Sequence, residues 1–140
     1  MIAVDTNVLV YAHVTDLPKH GAARRRLGRL AREGRWCVPV FCLGEFLRVV
    51  THPRLFAEPF SPEEACRALG LLMEAPGMEV LFPAEQYPQF LADAVSEIGA
   101  RGNLVFDAQI VALCREAGVD RILTEDGDFS RFRGITVERL

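Results

Sequence analysis

Ile2-Ala-Val-Asp-Thr-Asn-Val-Leu-Val-Tyr-Ala12 is the stretch that decides the fold. Ile2 to Val4 is a short apolar run of the kind a buried strand uses, and Asp5-Thr6-Asn7 are residue types that cap helices. An apolar series at positions 8, 9, 10 and 12 then takes over at helical spacing. The order is strand, cap, helix, with an acid at the carboxyl end of the strand.

The same alternation continues outward. Residues 17–35 place small and apolar side chains at 22, 23, 27, 30 and 31 against arginines at 24, 25, 26, 29 and 32, an amphipathic helix ended by Gly34. Trp36 to Val40 is a strand candidate, and Phe41 to Val50 a nearly all-apolar helix stopped at His52-Pro53. Ser61-Pro62-Glu63-Glu64 carries a capping box and opens a helix through Met73. Met78 to Phe82 reads as a strand, Glu85 to Ile98 as a helix with Pro88 near its start, and Leu104 to Ala117 as a helix capped by Gly118. Arg121 to Thr124 and Ile135 to Val137 complete the strands. Short apolar strands alternating with helices predict an α/β domain with a mainly parallel sheet, whose ligands gather beyond the carboxyl ends of the strands.

The chain has 140 residues, half of them apolar and a quarter charged, which predicts one globular domain over 1–140 and excludes disordered, collagen-like and disulfide-scaffold classes. No apolar run is long enough to cross a membrane, and Met1 leads into the first strand without a basic leader, so a cytoplasmic protein is expected. Cys37, Cys42, Cys66 and Cys114 fit no redox or zinc spacing and are expected to be reduced, buried small hydrophobes.

Carboxylates occupy places where apolar residues belong. Asp5 ends the first strand, and Asp126 and Asp128 follow Ile122-Leu123-Thr124, so two separate strand ends present acids to one edge. Glu45 and Asp107 sit inside apolar helices, and Asp107 falls in line with Val111 and Cys114, which should face the sheet. A buried ionised carboxylate is costly unless paired, hydrogen-bonded or metal-bound. Arg48, Arg101 and Arg115 are the available counter-charges, but their positions point to water. An oxygen-only set without His or Cys suits Mg²⁺ or Mn²⁺ and is unlike a zinc site. One or two such ions can drive phosphodiester hydrolysis.

Taken singly, each acid has a plainer explanation: Asp5 as an N-cap, Glu45 as a helix-surface acid, Asp107 as an ion-pair partner, Asp126 and Asp128 as turn residues. Thr6, Asn7 and Thr124 can orient the acids as donors, although capping accounts for Thr6 and Asn7 equally well. Sixteen Lys and Arg against nineteen Asp and Glu give a net charge of −3. Without four of the acids the remainder is +1, so the overall sign does not oppose a polyanionic substrate. Arg25, Arg29 and Arg32 make a basic stripe able to follow a phosphate backbone, or simply a solvated face.

No G-x-S-x-G or P-loop motif occurs. A receiver domain needs a late lysine, and the only one is Lys19; a dehalogenase-type phosphatase needs an Asp where Asn7 stands. A non-catalytic metal-stabilised binding module remains as the rival to a nuclease.

Four stretches together, Val4-Asp-Thr-Asn-Val-Leu-Val-Tyr-Ala12, Glu45-Phe-Leu-Arg-Val-Val-Thr-His-Pro53, Gly102-Asn-Leu-Val-Phe-Asp-Ala-Gln-Ile110 and Leu123-Thr-Glu-Asp-Gly-Asp-Phe-Ser-Arg-Phe132, resemble the PIN-domain ribonucleases, specifically VapC-type toxins. The resemblance implies a three-layer α/β/α fold on a five-stranded, mainly parallel sheet. It also implies a metal-binding quartet of Asp5, Glu45, Asp107 and Asp126 with Asp128 as a fifth candidate, Mg²⁺ or Mn²⁺ dependence and endonucleolytic RNA cleavage. A homodimer and a cognate antitoxin are further implications, and a housekeeping nuclease of the same family is the alternative. An acid-rich pocket is a ready receptor for an antitoxin guanidinium, and Phe41, Leu43, Phe46 and Leu47 are expected to line a groove for the antitoxin's apolar segment.

Overall fold

The computed structural model describes residues 1–140. Strands β1 (Ala3–Val4), β2 (Trp36–Pro39), β3 (Met78–Leu81), β4 (Arg121–Leu123) and β5 (Thr136–Glu138) form one parallel sheet in the order β3-β2-β1-β4-β5. Helices α1 (Thr6–His13), α2 (His20–Glu33), α3 (Val40–Val50), α4 (Pro62–Met73), α5 (Tyr87–Ile98) and α6 (Leu104–Glu116) connect the strands, with a 3₁₀ turn at Asp128–Arg131 before β5. Helix α1 packs on α2 and α3, α3 on α4, and α5 on α6, giving the three-layer α/β/α fold.

The central strands are apolar because they are covered on both faces. Ala3, Val4, Cys37, Val38, Ile122 and Leu123 are all fully buried, and Trp36 is closed in with its indole N–H donated to the Pro76 carbonyl at 3.0 Å. Edge strands β3 and β5 keep exposed polar positions at Glu79 and Thr136.

The strand order reverses at β1. The chain lays β2 and β3 on one side of it and returns to place β4 on the other, so β1 and β4 flank the topological switch point where α/β sheets open a crevice. Ala3 pairs with Ile122 and Val4 with Leu123, and the Asp5 N–H donates to the Leu123 carbonyl at 3.1 Å. The two strand ends expected to present acids to one edge are direct neighbours, and Asp5 and Thr124 leave the sheet side by side.

Several boundaries differ from the sequence reading. Helix α2 starts at His20 because Pro18 pushes Leu17 out of helical geometry, leaving a turn closed by the His20 N–H on the Leu17 carbonyl. Helix α5 begins at Tyr87 because the Glu116 carboxylate accepts the Ala84 and Gln86 N–H groups, at 2.9 and 2.8 Å, and holds that segment as a turn. Strand β2 stops at Pro39 because Val40 already belongs to α3. Of the cysteines, Cys37, Cys42 and Cys114 are buried, but Cys66 is exposed on α4, so its expected burial is wrong. The capping box at Ser61 and Glu64 forms in both directions.

Gly77 marks the tightest approach. Its φ is +71°, and a Cβ there would lie 1.3 Å from the Gly34 carbonyl oxygen. Gly77→Ala is expected to destabilise the fold by more than about 2 kcal/mol, combining backbone strain with a clash that backbone must absorb. Gly70→Ala, in helix α4 with open space around it, should be neutral or stabilise by up to about 1 kcal/mol. Urea denaturation of the two variants checks the contrast.

A candidate metal centre at the switch point

Asp5 is the N-cap of α1 and only 6% exposed. Its carboxylate is nearly saturated by donors: Oδ1 accepts the Thr6 N–H at 2.7 Å, while Oδ2 accepts the Asn7 amide at 2.6 Å and the Thr124 hydroxyl at 2.7 Å. Capping and site-building are thus the same act, since the bonds that start α1 also fix the acid. Thr124 is fully buried, and its oxygen accepts from the second Asn7 amide hydrogen at 2.9 Å and from the Asp126 N–H at 3.0 Å. The Asn7 side-chain oxygen Oδ1 accepts the Glu125 N–H at 3.1 Å, so one asparagine ties the start of α1 to the loop after β4.

Thr6 reaches the other way, donating its hydroxyl to Glu45 Oε2 at 2.9 Å. The remaining Glu45 oxygen meets Arg48 Nη2 at 3.3 Å, so Arg48 is not turned wholly to water as its position suggested. Arg115 pairs with Glu97 at 2.7 Å and takes no part in the site.

Asp126 is set by its own loop: its Oδ1 accepts the Asp128 N–H at 2.8 Å, the Asx turn expected of an Asp-Gly sequence. That turn brings Asp128 round, where Arg131 approaches it at 3.5 Å. Asp107 arrives from the first turn of α6. Val111 and Cys114 on the same helix line are fully buried as expected, but Asp107 is only partly covered, because at the helix start this line faces a cavity instead of the sheet.

One carboxylate oxygen from each of Asp107, Asp126 and Asp128 lies within 4.8 Å of the other two. These three line a cavity of about 780 Å³ together with Glu45 and Arg48, while Asp5 lies beneath. Phe41, expected to line an antitoxin groove, does face this cavity. Phe46 does not: it is fully buried, edge-on to His13 at 5.1 Å, because α3 turns that side of the helix into the core.

Burial first, then the Glu45 and Asp126 charges, push the Asp5 carboxyl up to about 6 even though its hydrogen bonds oppose the shift. Asp107 rises to about 7 through burial, then Asp126, Asp5, Asp128 and Glu45, with no hydrogen bond to offset them. A carboxylate held among four others without a donor fits a divalent cation as its missing counter-charge, and an all-oxygen set fits Mg²⁺ or Mn²⁺.

Arg25 and Arg29 line a separate cavity of about 420 Å³ with Arg26 and Arg139, and Arg32 lies outside its lining. Arg26 is committed to Glu138 at 2.6 Å. Arg139, which the basic stripe on α2 did not foretell because it comes from the far end of the chain, extends a guanidinium nitrogen to within 3.8 Å of where a Gly127 Cβ would stand. The basic cavity therefore borders the loop carrying Asp126 and Asp128.

Residues 2–135 match the family model described as the PIN domain. The chain belongs to the PIN-domain family. This PIN domain is 40% identical over 134 residues to "VapC ribonuclease Mb2897" of Mycobacterium bovis, covering 95% of this chain and 90% of that protein. It is 36% identical over 138 residues to "Ribonuclease VapC48" of Mycobacterium tuberculosis, covering 95% and 92%. Among solved structures, VapBC2 from Rickettsia felis, bound to a DNA fragment from its promoter, superposes with a TM-score of 0.74 over 100% of this chain and 99% of that one, at 16% identity. Mycobacterium tuberculosis VapC20, described as a toxin that cleaves the sarcin–ricin loop, gives 0.65 at 22% identity, covering 93% of both chains.

The raised carboxyls set a pH dependence. Asp5 and Asp107 hold protons in the folded chain at pH values where the unfolded chain, with both near 3.8, has released them. Their contribution to stability is complete below about pH 4 and is lost as pH rises through 6 to 7. Burial lowers the His13 pKa and so works in the opposite sense, which makes the difference between two variants the clean measurement. Without metal, Asp107→Asn should be more stable than the parent by on the order of 1–2 kcal/mol at pH 7.5, after allowing for solvent screening of a half-buried group. The gain should vanish near pH 4. Equal melting temperatures at both pH values would show that Asp107 is not crowded by its neighbours.

Proposed function

We propose that this chain, one PIN domain over residues 1–140, is a Mg²⁺- or Mn²⁺-dependent endoribonuclease acting as the toxin of a type II toxin–antitoxin pair. The observation that carries this reading is the convergence of Asp107, Asp126 and Asp128 at the switch point, backed by Asp5 and walled by Glu45. The relatives named as VapC ribonucleases support RNA as the substrate, and the neighbours solved as VapBC complexes support an antitoxin partner.

In this reading Asp5, Glu45, Asp107 and Asp126 are the catalytic acids, and Asp128 joins them as a ligand. What a bound Mg²⁺ or Mn²⁺ supplies at such a site is activation of a water for in-line attack and stabilisation of the leaving oxygen of a phosphodiester. The chain's own part is placement. Thr124 and Asn7 lock Asp5, and Thr6 sets Glu45 through its hydroxyl. Arg48 stands at the cavity wall, where a guanidinium released from Glu45 can meet a phosphate oxygen.

Arg25 and Arg29, with Arg139, carry the RNA backbone towards the site. The same acids receive an antitoxin Arg or Lys, with Phe41 as an apolar neighbour; Leu43 and Leu47, expected beside it, pack against the core instead of lining the cavity. A homodimer completes the assembly. Leu71, Met73 and Phe82 are 65%, 49% and 66% exposed outside the cavity, and supply apolar surface for a second copy.

Purified protein should cleave RNA in Mg²⁺ or Mn²⁺, and Asp107→Asn or Asp5→Asn should lower the rate at least about 100-fold while remaining folded. Folded, metal-binding protein that leaves every RNA intact would favour the non-catalytic module. Binding of single-stranded RNA to the Asp107→Asn protein should weaken with salt, and each of Arg25→Ala, Arg29→Ala and Arg139→Ala should reduce the log–log slope by about 0.7, the value for one lost phosphate contact. Unchanged slopes in all three would remove the arginine cavity from the RNA path.

A further inference from the structure

The acids occupy only part of the large cavity. The rest is a face of α6 that runs from Asn103 through Phe106 and Asp107 to Ile110, positions i, i+3, i+4 and i+7, so these side chains share one side of the helix. Phe106 is 59% exposed, far more than a phenylalanine serving the core. Its helix neighbours on the other side, Ala108, Val111 and Ala112, are fully buried, so the aromatic is presented outward by the same turn that points Asp107 at the other carboxylates.

Asn103 occupies the N-cap position of α6, yet its side chain makes no capping hydrogen bond. An asparagine at an N-cap ordinarily binds a backbone N–H there. Here the first-turn amides are satisfied by Arg101, Gly102 and Asn103 carbonyls instead, which leaves the Asn103 side chain free of the cap; Asn103 and Gln109 both line the cavity. Across the opening, Phe41 is held by contact with Tyr87, ring centroids 5.9 Å apart. An exposed ring and two side-chain amides thus adjoin the acids.

We propose that Phe106, Asn103 and Gln109 form a nucleobase subsite that seats a base next to the cleaved bond and gives the enzyme its sequence preference. This rests on the RNA-cleaving reading of the same cavity and names what the adjoining half of it recognises. Single-stranded RNA is bound by stacking unstacked bases on exposed aromatic faces, and the base edge is read by groups that both donate and accept hydrogen bonds. A carboxamide does both, so Asn103 and Gln109 can discriminate between bases that Phe106 stacks indifferently. A lipid or an apolar peptide would have no use for two amides beside a phosphate-handling centre. Because Phe106 immediately precedes Asp107 in the helix and both line the cavity, a base on its ring belongs to a nucleotide whose phosphate lies at the acids.

Two measurements test this. In the first, the four nucleoside 5′-monophosphates are titrated with Mg²⁺ into the intact protein and the Phe106 ring resonances followed by NMR; ring-current shifts that differ among the bases are expected. In the second, Phe106→Ala, Phe106→Trp, Asn103→Ala and Gln109→Ala are compared on a randomised RNA pool sequenced at its cut ends. Phe106→Ala should lower kcat/KM by about 5- to 100-fold while Phe106→Trp retains most of it. The amide variants should flatten the base preference at one position beside the cut while metal-dependent thermal stabilisation stays as in the parent. Cleavage with unaltered rate and preference in all four variants overturns the subsite but leaves the nuclease reading standing. Phe106→Ala that cleaves normally but no longer binds an antitoxin tail peptide overturns it too, and makes the ring a protein contact. No ring shift with any of the four nucleotides overturns it independently of activity. Failure of the parent to cleave any RNA would count against the nuclease reading itself.

Discussion

The three hydrogen bonds that converge on the Asp5 carboxylate hold the site together. They come from Thr6, Asn7 and Thr124, and so join the beginning of α1 to the end of β4 across the switch point of the sheet. A carboxylate this deeply buried would cost several kcal/mol if left alone. Here its partners form a closed circuit in which Thr124 donates to Asp5 and accepts from Asn7 and Asp126, while Asn7 also accepts from Glu125. The acid loop after β4 is therefore positioned by the first strand, not by its own sequence alone.

That clamp tolerates charge crowding that the rest of the site does not relieve. Asp5 has donors and rises only to about 6; Asp107 has none and rises to about 7. Arg48 and Arg131 each approach one acid, Glu45 and Asp128, from three residues further along the chain. Asp107 has no such companion. It is the acid whose charge the protein's own groups compensate least, and the one that a bound cation would favour most.

Much of this was legible in the primary structure, and for identifiable reasons. The strand, cap and helix at residues 2–12, the capping box at Ser61 and the helical periodicities are local signals, and they placed every strand and all six helices. The acids stood out because they interrupt apolar periodicity. What escaped was set by contacts between distant segments. Glu116 fixes the start of α5 from another helix, Arg139 joins the α2 arginines from the far end of the chain, and Arg48 turns to Glu45 although its spacing allowed it to face solvent. Phe46 and Asp107 show the limit of periodicity: it finds the line of side chains on a helix but not where along that line the core stops. Cys66 was misplaced because a small thiol leaves no pattern that separates inside from outside.

The Asp5–Thr124 bond spans 119 residues, and that distance has a meaning in time. During synthesis the first acid leaves the ribosome long before the strand that must clamp it, and helices α2 to α6 have to be made in between. A nascent chain that has not reached Thr124 has only the local Thr6 and Asn7 donors for Asp5, and no Asp126. Parallel pairing of β1 with β4 is a late, non-local event, since its loop-closure entropy is met only once the intervening chain can pack. The acid cluster is thus completed only when the strands made last take their places, by the order of the strands themselves.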